Sequence, residues 1–194
     1  EIKVSVRGLV EFLLRTGDID NRKKSAPDDA MAEGSRIHRM IQKKMGSSYH
    51  AEVMLRYRRD CGEYDLVVEG RADGIIDSDP VAVDEIKGTN PVHLAQAKCY
   101  AWMYGQEHGK ERMEVSMTYC NIETEEIRYF KFVYEMSDLE EWFDSLLQEY
   151  RKWSDADIAW KKLRQDSIHS LSFPFPYREG QKELVTHVYH TICH

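Results

Sequence analysis

VAVDEIKGT, residues 81–89, joins an apolar run to two acids and a lysine. The apolar start is typical of an interior β-strand. Because side chains alternate between the two faces of a strand, Glu85 and Lys87 share one face and Ile86 takes the other. The stretch therefore predicts an acid and a base held together at the carboxyl end of a buried strand, where ligand sites of open α/β sheets lie.

The composition is that of one soluble globular domain. The chain has 194 residues, of which 42% are hydrophobic and 31% charged, and no apolar run is long enough to span a bilayer. Its four cysteines lie far apart and form no C-x-x-C pair, which argues against zinc and iron–sulfur sites. No signal segment precedes the first helix, and the start at Glu1 suggests a fragment or a processed chain. We expect a cytoplasmic protein with free thiols and no membrane partner.

The charge is distributed unevenly along the chain. The net charge of −7 argues against a nucleic-acid partner, because such binding depends on Lys and Arg. Residues 1–60 nevertheless carry a net charge of +4, and residues 61–194 carry −11. The cations of the first part include Arg22, Lys23, Lys24, Arg36, Arg39, Lys43, Lys44, Arg56, Arg58 and Arg59. Charge alone fits either a polyanion contact or ordinary solvated faces.

The hydrophobic pattern predicts a mixed α/β order. Helical spacing marks four segments, and the period of two marks six short strands. The helices are predicted within 5–20, 34–45, 93–105 and from Ser137 onward, and the strands at 52–59, 64–70, 71–77, 81–87, 113–122 and 126–134. Asn90-Pro91 and the capping box Ser137-x-x-Glu140 are predicted to open two of the helices.

A second acid, Asp73, precedes Glu85 by twelve positions on the neighbouring predicted strand. The turn at 77–80 brings these strands side by side, so the two carboxylates could converge on one hard cation. A lysine beside such a cation can activate water and neutralise charge developing on phosphorus. This is the chemistry of phosphodiester hydrolysis. A salt bridge between Lys87 and a neighbouring acid explains the same residues without catalysis.

Four patches follow one another in a recognisable order: Gly34-x-x-x-His38, Gly70-Arg71-Ala72-Asp73-Gly74, Glu85-Ile86-Lys87 and Gln96-x-x-x-Tyr100. Together, over residues 5–150, they resemble the motifs of the PD-(D/E)xK nuclease superfamily, in its RecB-like exonuclease branch. The resemblance implies a restriction-endonuclease-like fold, a mixed sheet of about five strands flanked by helices. Two departures stand out, since Ala72 replaces the name-giving proline and the cysteine quartet of the iron–sulfur members is missing. We expect no iron–sulfur cluster.

The resemblance also implies roles for single residues. His38, Asp73 and Glu85 would be ligands of Mg²⁺ or Mn²⁺, with help from the Ile86 carbonyl. Lys87 would be the catalytic lysine, acting with the two acids.

Three residues could either belong to the site or serve only in packing. Gln96 and Tyr100, one helical turn apart, would shape the site or touch DNA, although they could equally be a helix packing pair. His38 could be a packed, hydrogen-bonded core histidine. Asp84 is expected to face away from Glu85 and is not assigned to the site.

The tail FPFPYREGQKELVTHVYHTI, residues 173–192, resembles the adenine-recognition segment of DinG/XPD-like DNA helicases. Tyr177, Arg178 and Gln181 carry that match and would bind nucleotide only in a full-length helicase. No G-x-x-x-x-G-K-[ST] motif occurs, so this chain alone should not bind ATP. We expect a nuclease domain at 1–168, followed at 169–194 by a linker and the start of a truncated helicase. An ordinary C-terminal helix is the alternative.

Three functions remain open from the sequence. The first is a divalent-metal-dependent DNA exonuclease, part of a helicase–nuclease in DNA repair or processing, with DNA and a C-terminal helicase domain as partners. The second is a catalytically inactive DNA-binding module with the same fold. The third is a protein-interaction domain, which would be favoured if the two acids lay apart.

Overall fold

A computed structural model of the protein contains one six-stranded β-sheet within its described residues. The structure describes residues 1–16, 28–86, 91–120, 124, 126–172 and 174–193. The strands are β1 (Ile2–Ser5), β2 (Tyr49–Asp60), β3 (Asp65–Ile76), β4 (Ala82–Ile86), β5 (Arg112–Cys120) and β6 (Ile127–Glu135).

Strand β3 organises the sheet because it pairs with three others. It runs antiparallel to β2 along its whole length, parallel to β1 at residues 66–69, and antiparallel to β4 at residues 74–76. Residues 70–73 lie between the last two stretches and belong to neither register. Strand β4 then pairs parallel with β5, which is antiparallel to β6. The sheet is therefore mixed, and β3 changes partners just where Asp73 lies.

Within the described residues the chain has five helices. They are α1 (Val6–Leu14), α2 (Asp28–Lys44), α3 (Pro91–Glu107), α4 (Met136–Ser170) and α5 (Gln181–Cys193).

The main core lies between the sheet and helices α1, α3 and α4. Leu66 and Val68 of β3, Leu9 of α1 and Leu139 of α4 are all fully buried in it. Three aromatic rings tie these layers together, since Trp102 of α3 stacks on Phe143 of α4 at 4.2 Å and meets Tyr57 of β2 edge-on at 4.7 Å. Such ring pairs add stabilisation beyond the area they bury.

Helix α2 packs on a second, smaller cluster. Ile37 and Ile41 of this helix are buried against Ile86 at the end of β4. Their spacing of four residues places them on one helical face. This contact holds α2 over the end of the strand that carries Glu85.

Two compact units divide the chain, 1–154 and 155–194. The first contains the whole sheet, α1 to α3 and α4 as far as Ser154. The second contains the rest of α4 and α5, and its side chains are mostly exposed. The domain boundary expected at 168/169 stays a prediction. Within the described segments, no helix combines the length and apolarity needed to cross a bilayer.

The predicted fold class, a mixed α/β sheet flanked by helices, is confirmed. The pattern predicts six strands and the resemblance implies about five. The sheet has six, although the runs 64–70 and 71–77 form one strand and the short β1 was not predicted. The predicted capping box is wrong, since α4 begins at Met136 directly after β6 and Ser137 lies inside the helix. The Met136 N–H instead donates to the Glu111 carbonyl at 2.9 Å. Asn90 falls outside the described residues.

Candidate functional site

Asp73 and Glu85 lie at the same end of the β3–β4 pair. Gly74 and Asp84 are cross-strand partners, and the two acids each lie one residue beyond that pair. Asp73 Oδ2 accepts the N–H of Ile86 at 2.9 Å. This hydrogen bond fixes Asp73 to β4, the strand that carries Glu85, as the turn between the two strands predicts.

Helix α2 adds two polar side chains to Asp73. His38 Nδ1 lies 3.8 Å from Asp73 Oδ1, and Gln42 Nε2 donates to the Asp73 carbonyl at 3.2 Å. The two residues are four apart and so share one helical face. The His38 side chain is 31% exposed and that of Asp73 is 18% exposed, so solvent reaches the contact. His38 therefore faces an acid at the surface rather than filling the core.

Helix α3 supplies a buried wall near Glu85. Gln96 and Tyr100 are both buried, and Gln96 Nε2 donates to the Tyr100 hydroxyl at 3.4 Å. Burial raises the pKa of Tyr100, and the negative charges of Glu85 and then Asp73 raise it further. The phenol therefore stays neutral and lies within electrostatic reach of both carboxylates. A Cβ at Gly70 would lie 2.7 Å from the same hydroxyl, which explains why this position is a glycine.

A second polar network holds Asp84, the residue before Glu85 in β4. The Tyr49 hydroxyl lies 3.2 Å from Asp84 Oδ2 and 3.3 Å from the Asp73 carbonyl oxygen. Thr118 Oγ1 donates to Asp84 Oδ1 at 2.5 Å. Asp84 is fully buried, and this burial raises its pKa, while the hydrogen bonds from Thr118 and Tyr49 act in the opposite direction. These contacts account for an acid inside the sheet without a catalytic role.

The remaining assigned residues lie outside the described residues or in the second unit. Lys87 lies outside the described residues, so its catalytic role stays a prediction. Tyr177, Arg178 and Gln181 belong to the second unit, where the Gln181 side chain accepts the Arg178 N–H at 3.0 Å at the start of α5. Gly34 lies in α2, one turn before His38.

The predicted metal ligands are brought together only in part. His38 and Asp73 are in contact, and a carboxylate with an imidazole suits ions such as Mn²⁺. Asp73 Oδ2 is engaged by the Ile86 N–H, which leaves Oδ1 facing His38. Across the described ranges, however, no three His, Cys, Asp or Glu side chains form a group that could hold an ion. The four-donor set that includes Glu85 and the Ile86 carbonyl stays a prediction.

Two contributors were missed in the sequence. Gln42 could have been found, because it follows His38 by one helical turn and has the same side-chain direction. Tyr49 gives no such signal, since its approach to Asp73 and Asp84 depends on the register of β2 against β3. The adjacent Gly74 is a partial hint, because a glycine inside a strand often marks a close approach.

No family model matches this chain, and no curated protein matches it. Among solved structures it is similar to SSO0001, with 16% identity, 76% of each chain covered and a TM-score of 0.48. It is also similar to the alkaline exonuclease LHK-Exo from Laribacter hongkongensis, with 11% identity, 86% of this chain and 94% of that chain covered, and a TM-score of 0.43. With TM-scores under 0.5, neither likeness bears on function. Membership of the superfamily implied by the four motifs therefore stays a prediction.

Proposed function

We propose that this chain is a divalent-metal-dependent DNA nuclease that acts as an exonuclease within a helicase–nuclease of DNA repair or processing. The observation that carries the proposal is the position of the Asp73 carboxylate. One of its oxygens is held by the Ile86 N–H and the other faces His38. Glu85 lies at the same end of the strand pair. A carboxylate held beside an imidazole, with a second, buried acid at the same end of the strand pair, is costly to keep without a ligand.

The residues would divide the work as follows. Asp73, His38, Glu85 and the Ile86 carbonyl would hold Mg²⁺ or Mn²⁺, which when bound would polarise a phosphoryl oxygen and activate water. The Ile86 N–H keeps Asp73 in one orientation, so the carboxylate needs no reordering when substrate arrives. Lys87 would neutralise the charge that develops on the phosphate in the transition state.

The neutral wall of α3 would limit access of water to Glu85. Glu85 is fully buried, and Tyr100 and Gln96 are almost so. In such a low-dielectric environment the charge of Glu85 acts more strongly than in water. This arrangement favours binding of a cation over leaving two acids unneutralised.

An inactive DNA-binding module is the second candidate. It is favoured by one observation, that the described residues contain no three-membered group of metal-binding side chains. A chain that has kept the fold but not the metal would still bind DNA.

Cleavage of end-labelled single- and double-stranded DNA with Mn²⁺, Mg²⁺ or EDTA tests the proposal. The wild-type chain should shorten the labelled strand from an end with either metal and should be inactive in EDTA. Asp73→Asn should lose cleavage, because it removes the charge at the site. Asp77→Asn is the matched control, since Asp77 is exposed in the following turn and the charge change is the same.

The lysine is tested separately. Lys87→Ala should abolish cleavage while DNA affinity stays nearly unchanged, because the lysine acts on the transition state rather than the ground state. Near wild-type turnover in this variant would remove the mechanism. A wild-type chain that binds DNA but cleaves nothing with any metal would establish the second candidate instead.

A further inference from the structure

The outer face of α2 carries a stripe of cations. Arg36, Arg39 and Lys43 are spaced three and four residues apart, so they follow one another along one face of the helix. All three are exposed, and with the half-buried Met40 they line a surface groove of about 460 Å³. Ile37 and Ile41 point instead to the small core cluster.

The stripe lies in a segment without acids. Residues 35–45 contain four Lys and Arg residues and no Asp or Glu, although the whole chain has a net charge of −7. Positive charge is therefore concentrated in the C-terminal part of α2, because the three acids of this helix, Asp28, Asp29 and Glu33, all precede residue 35.

The same helix is fixed to the candidate site. His38 and Gln42, which lie between the cations in sequence, contact the carboxylate and the carbonyl of Asp73. At 1.5 Å per residue, Arg36 and Lys43 are about 10 Å apart along the helix axis. Phosphates of one DNA strand repeat about every 3.4 Å along the duplex axis, so the stripe has the length of about three phosphates.

We propose that Arg36, Arg39 and Lys43 bind the phosphate backbone of the nucleic-acid strand that enters the Asp73 site. This inference rests on the proposed function and adds the surface that holds the substrate. The ligand is a polyanion, because three cations in a row over that length exceed what a single phosphate group can contact. The two guanidinium groups suit the site, since each can bind a phosphate with two parallel hydrogen bonds.

The test is the salt dependence of DNA binding by the full chain in EDTA, where no cleavage can occur. The affinity for a labelled oligonucleotide is measured between about 50 and 200 mM salt for wild type and for Arg36→Gln/Arg39→Gln/Lys43→Gln. Each lost phosphate contact lowers the slope of log affinity against log salt by about 0.7 to 0.9, so the triple variant should lose about 2 to 3. Lys43→Gln alone should lose about one such step and serves if the triple variant does not fold.

A charge-matched control separates a local contact from a general charge effect. Lys131→Gln/Lys152→Gln/Lys161→Gln removes the same charge at positions already paired with acids, and it should keep the wild-type slope. An unchanged slope in the α2 variants, or an equal loss in the control, would overturn the inference. If the wild type cleaves DNA and the α2 variants keep the wild-type salt slope, the phosphate contact is wrong and the proposed function stands. An α2-dependent slope without any cleavage would support the phosphate contact and contradict the nuclease proposal.

Discussion

Gly74 follows Asp73 in β3, and the absence of its side chain determines how two acids are arranged. A Cβ at this position would lie 2.0 Å from the Tyr49 ring and hydroxyl. The ring occupies that space and so reaches both Asp84 and the Asp73 carbonyl. The absence of a methyl group at Gly74 therefore allows Tyr49 to contact the buried Asp84 while Asp73 stays at the candidate site.

Gly74→Ala should lower the free energy of unfolding by about 1–3 kcal/mol, because the methyl group overpacks the site. In a Tyr49→Ala background the same change should cost much less, since the ring is gone. Urea unfolding of the four chains gives the coupling energy between the two positions. An equal cost in both backgrounds would show that Tyr49 is not what the glycine accommodates.

Cys99 should make stability sensitive to alkaline pH. The thiol is fully buried, and this burial raises its pKa above the ordinary 9.0. The folded state therefore disfavours the thiolate, so the contribution of Cys99 to stability is complete below pH 9 and is lost as pH rises beyond it. Urea midpoints of wild type and Cys99→Ala, compared from neutral pH to about pH 10, should converge. A constant difference over that range would contradict the prediction.

The sequence predicted which side chains come together where this depends only on strand alternation and a single turn. The 77–80 turn sufficed to bring Asp73 beside β4. Tyr49 and Thr118 were not predictable, because they reach Asp84 only through the register of β2 on β3 and through the pairing of β4 with β5. Such contacts join residues far apart in sequence and leave no local pattern.

At the scale of elements, the junction of β1 and α1 depends on one side chain. The helix begins at Val6 directly after the strand ends at Ser5. Ser5 Oγ accepts the N–H of Gly8 at 2.9 Å and so satisfies one of the unpaired donors of the first turn.

Ser5→Ala should therefore lower the free energy of unfolding by about 1 kcal/mol, whereas Ser5→Asn, which keeps a capping oxygen, should stay close to wild type. Urea unfolding of the three chains measures both effects. If alanine and asparagine behaved alike, the cap would contribute nothing to stability.

Elements were predicted well where hydrophobic period and length agree. Helix α1 and strands β4 to β6 follow from spacing alone. The long β3 was predicted as two strands, 64–70 and 71–77, but its pairing with β2 continues across residues 70 and 71. Strand β1 has only four residues, too few for a period to be recognised.

On the scale of the whole molecule, the residues that carry the candidate site belong to one unit. His38, Asp73, Glu85, Gln96 and Tyr100 all precede Ser154, where the first unit ends. The second unit is different in character, since large apolar side chains of α5 and the end of α4 are exposed. They include Leu163, Ile168, Leu184, Val188 and Ile192.

Removal of residues 171–194 should leave metal-dependent cleavage intact, because every predicted nuclease residue lies in the first unit. Cleavage rates and urea midpoints of the shortened and the full chain measure this. A loss of cleavage together with an unchanged midpoint would show that the tail takes part in the nuclease reaction.

The tail itself should act only in a longer chain. Gln181 accepts the Arg178 N–H at the start of α5, but no phosphate-binding motif occurs in these 194 residues to hold the rest of a nucleotide. We therefore expect no ATP binding by these 194 residues. If the proposed helicase domain follows them, a chain that includes it should show DNA-stimulated ATPase activity. In that longer protein, Gln181→Ala should weaken ATP use without changing cleavage at the Asp73 site, because the two sites bind different ligands. Calorimetry with ATP and a phosphate-release assay test both statements. An extended reading frame without a phosphate-binding loop would contradict the helicase prediction and leave the nuclease proposal unaffected.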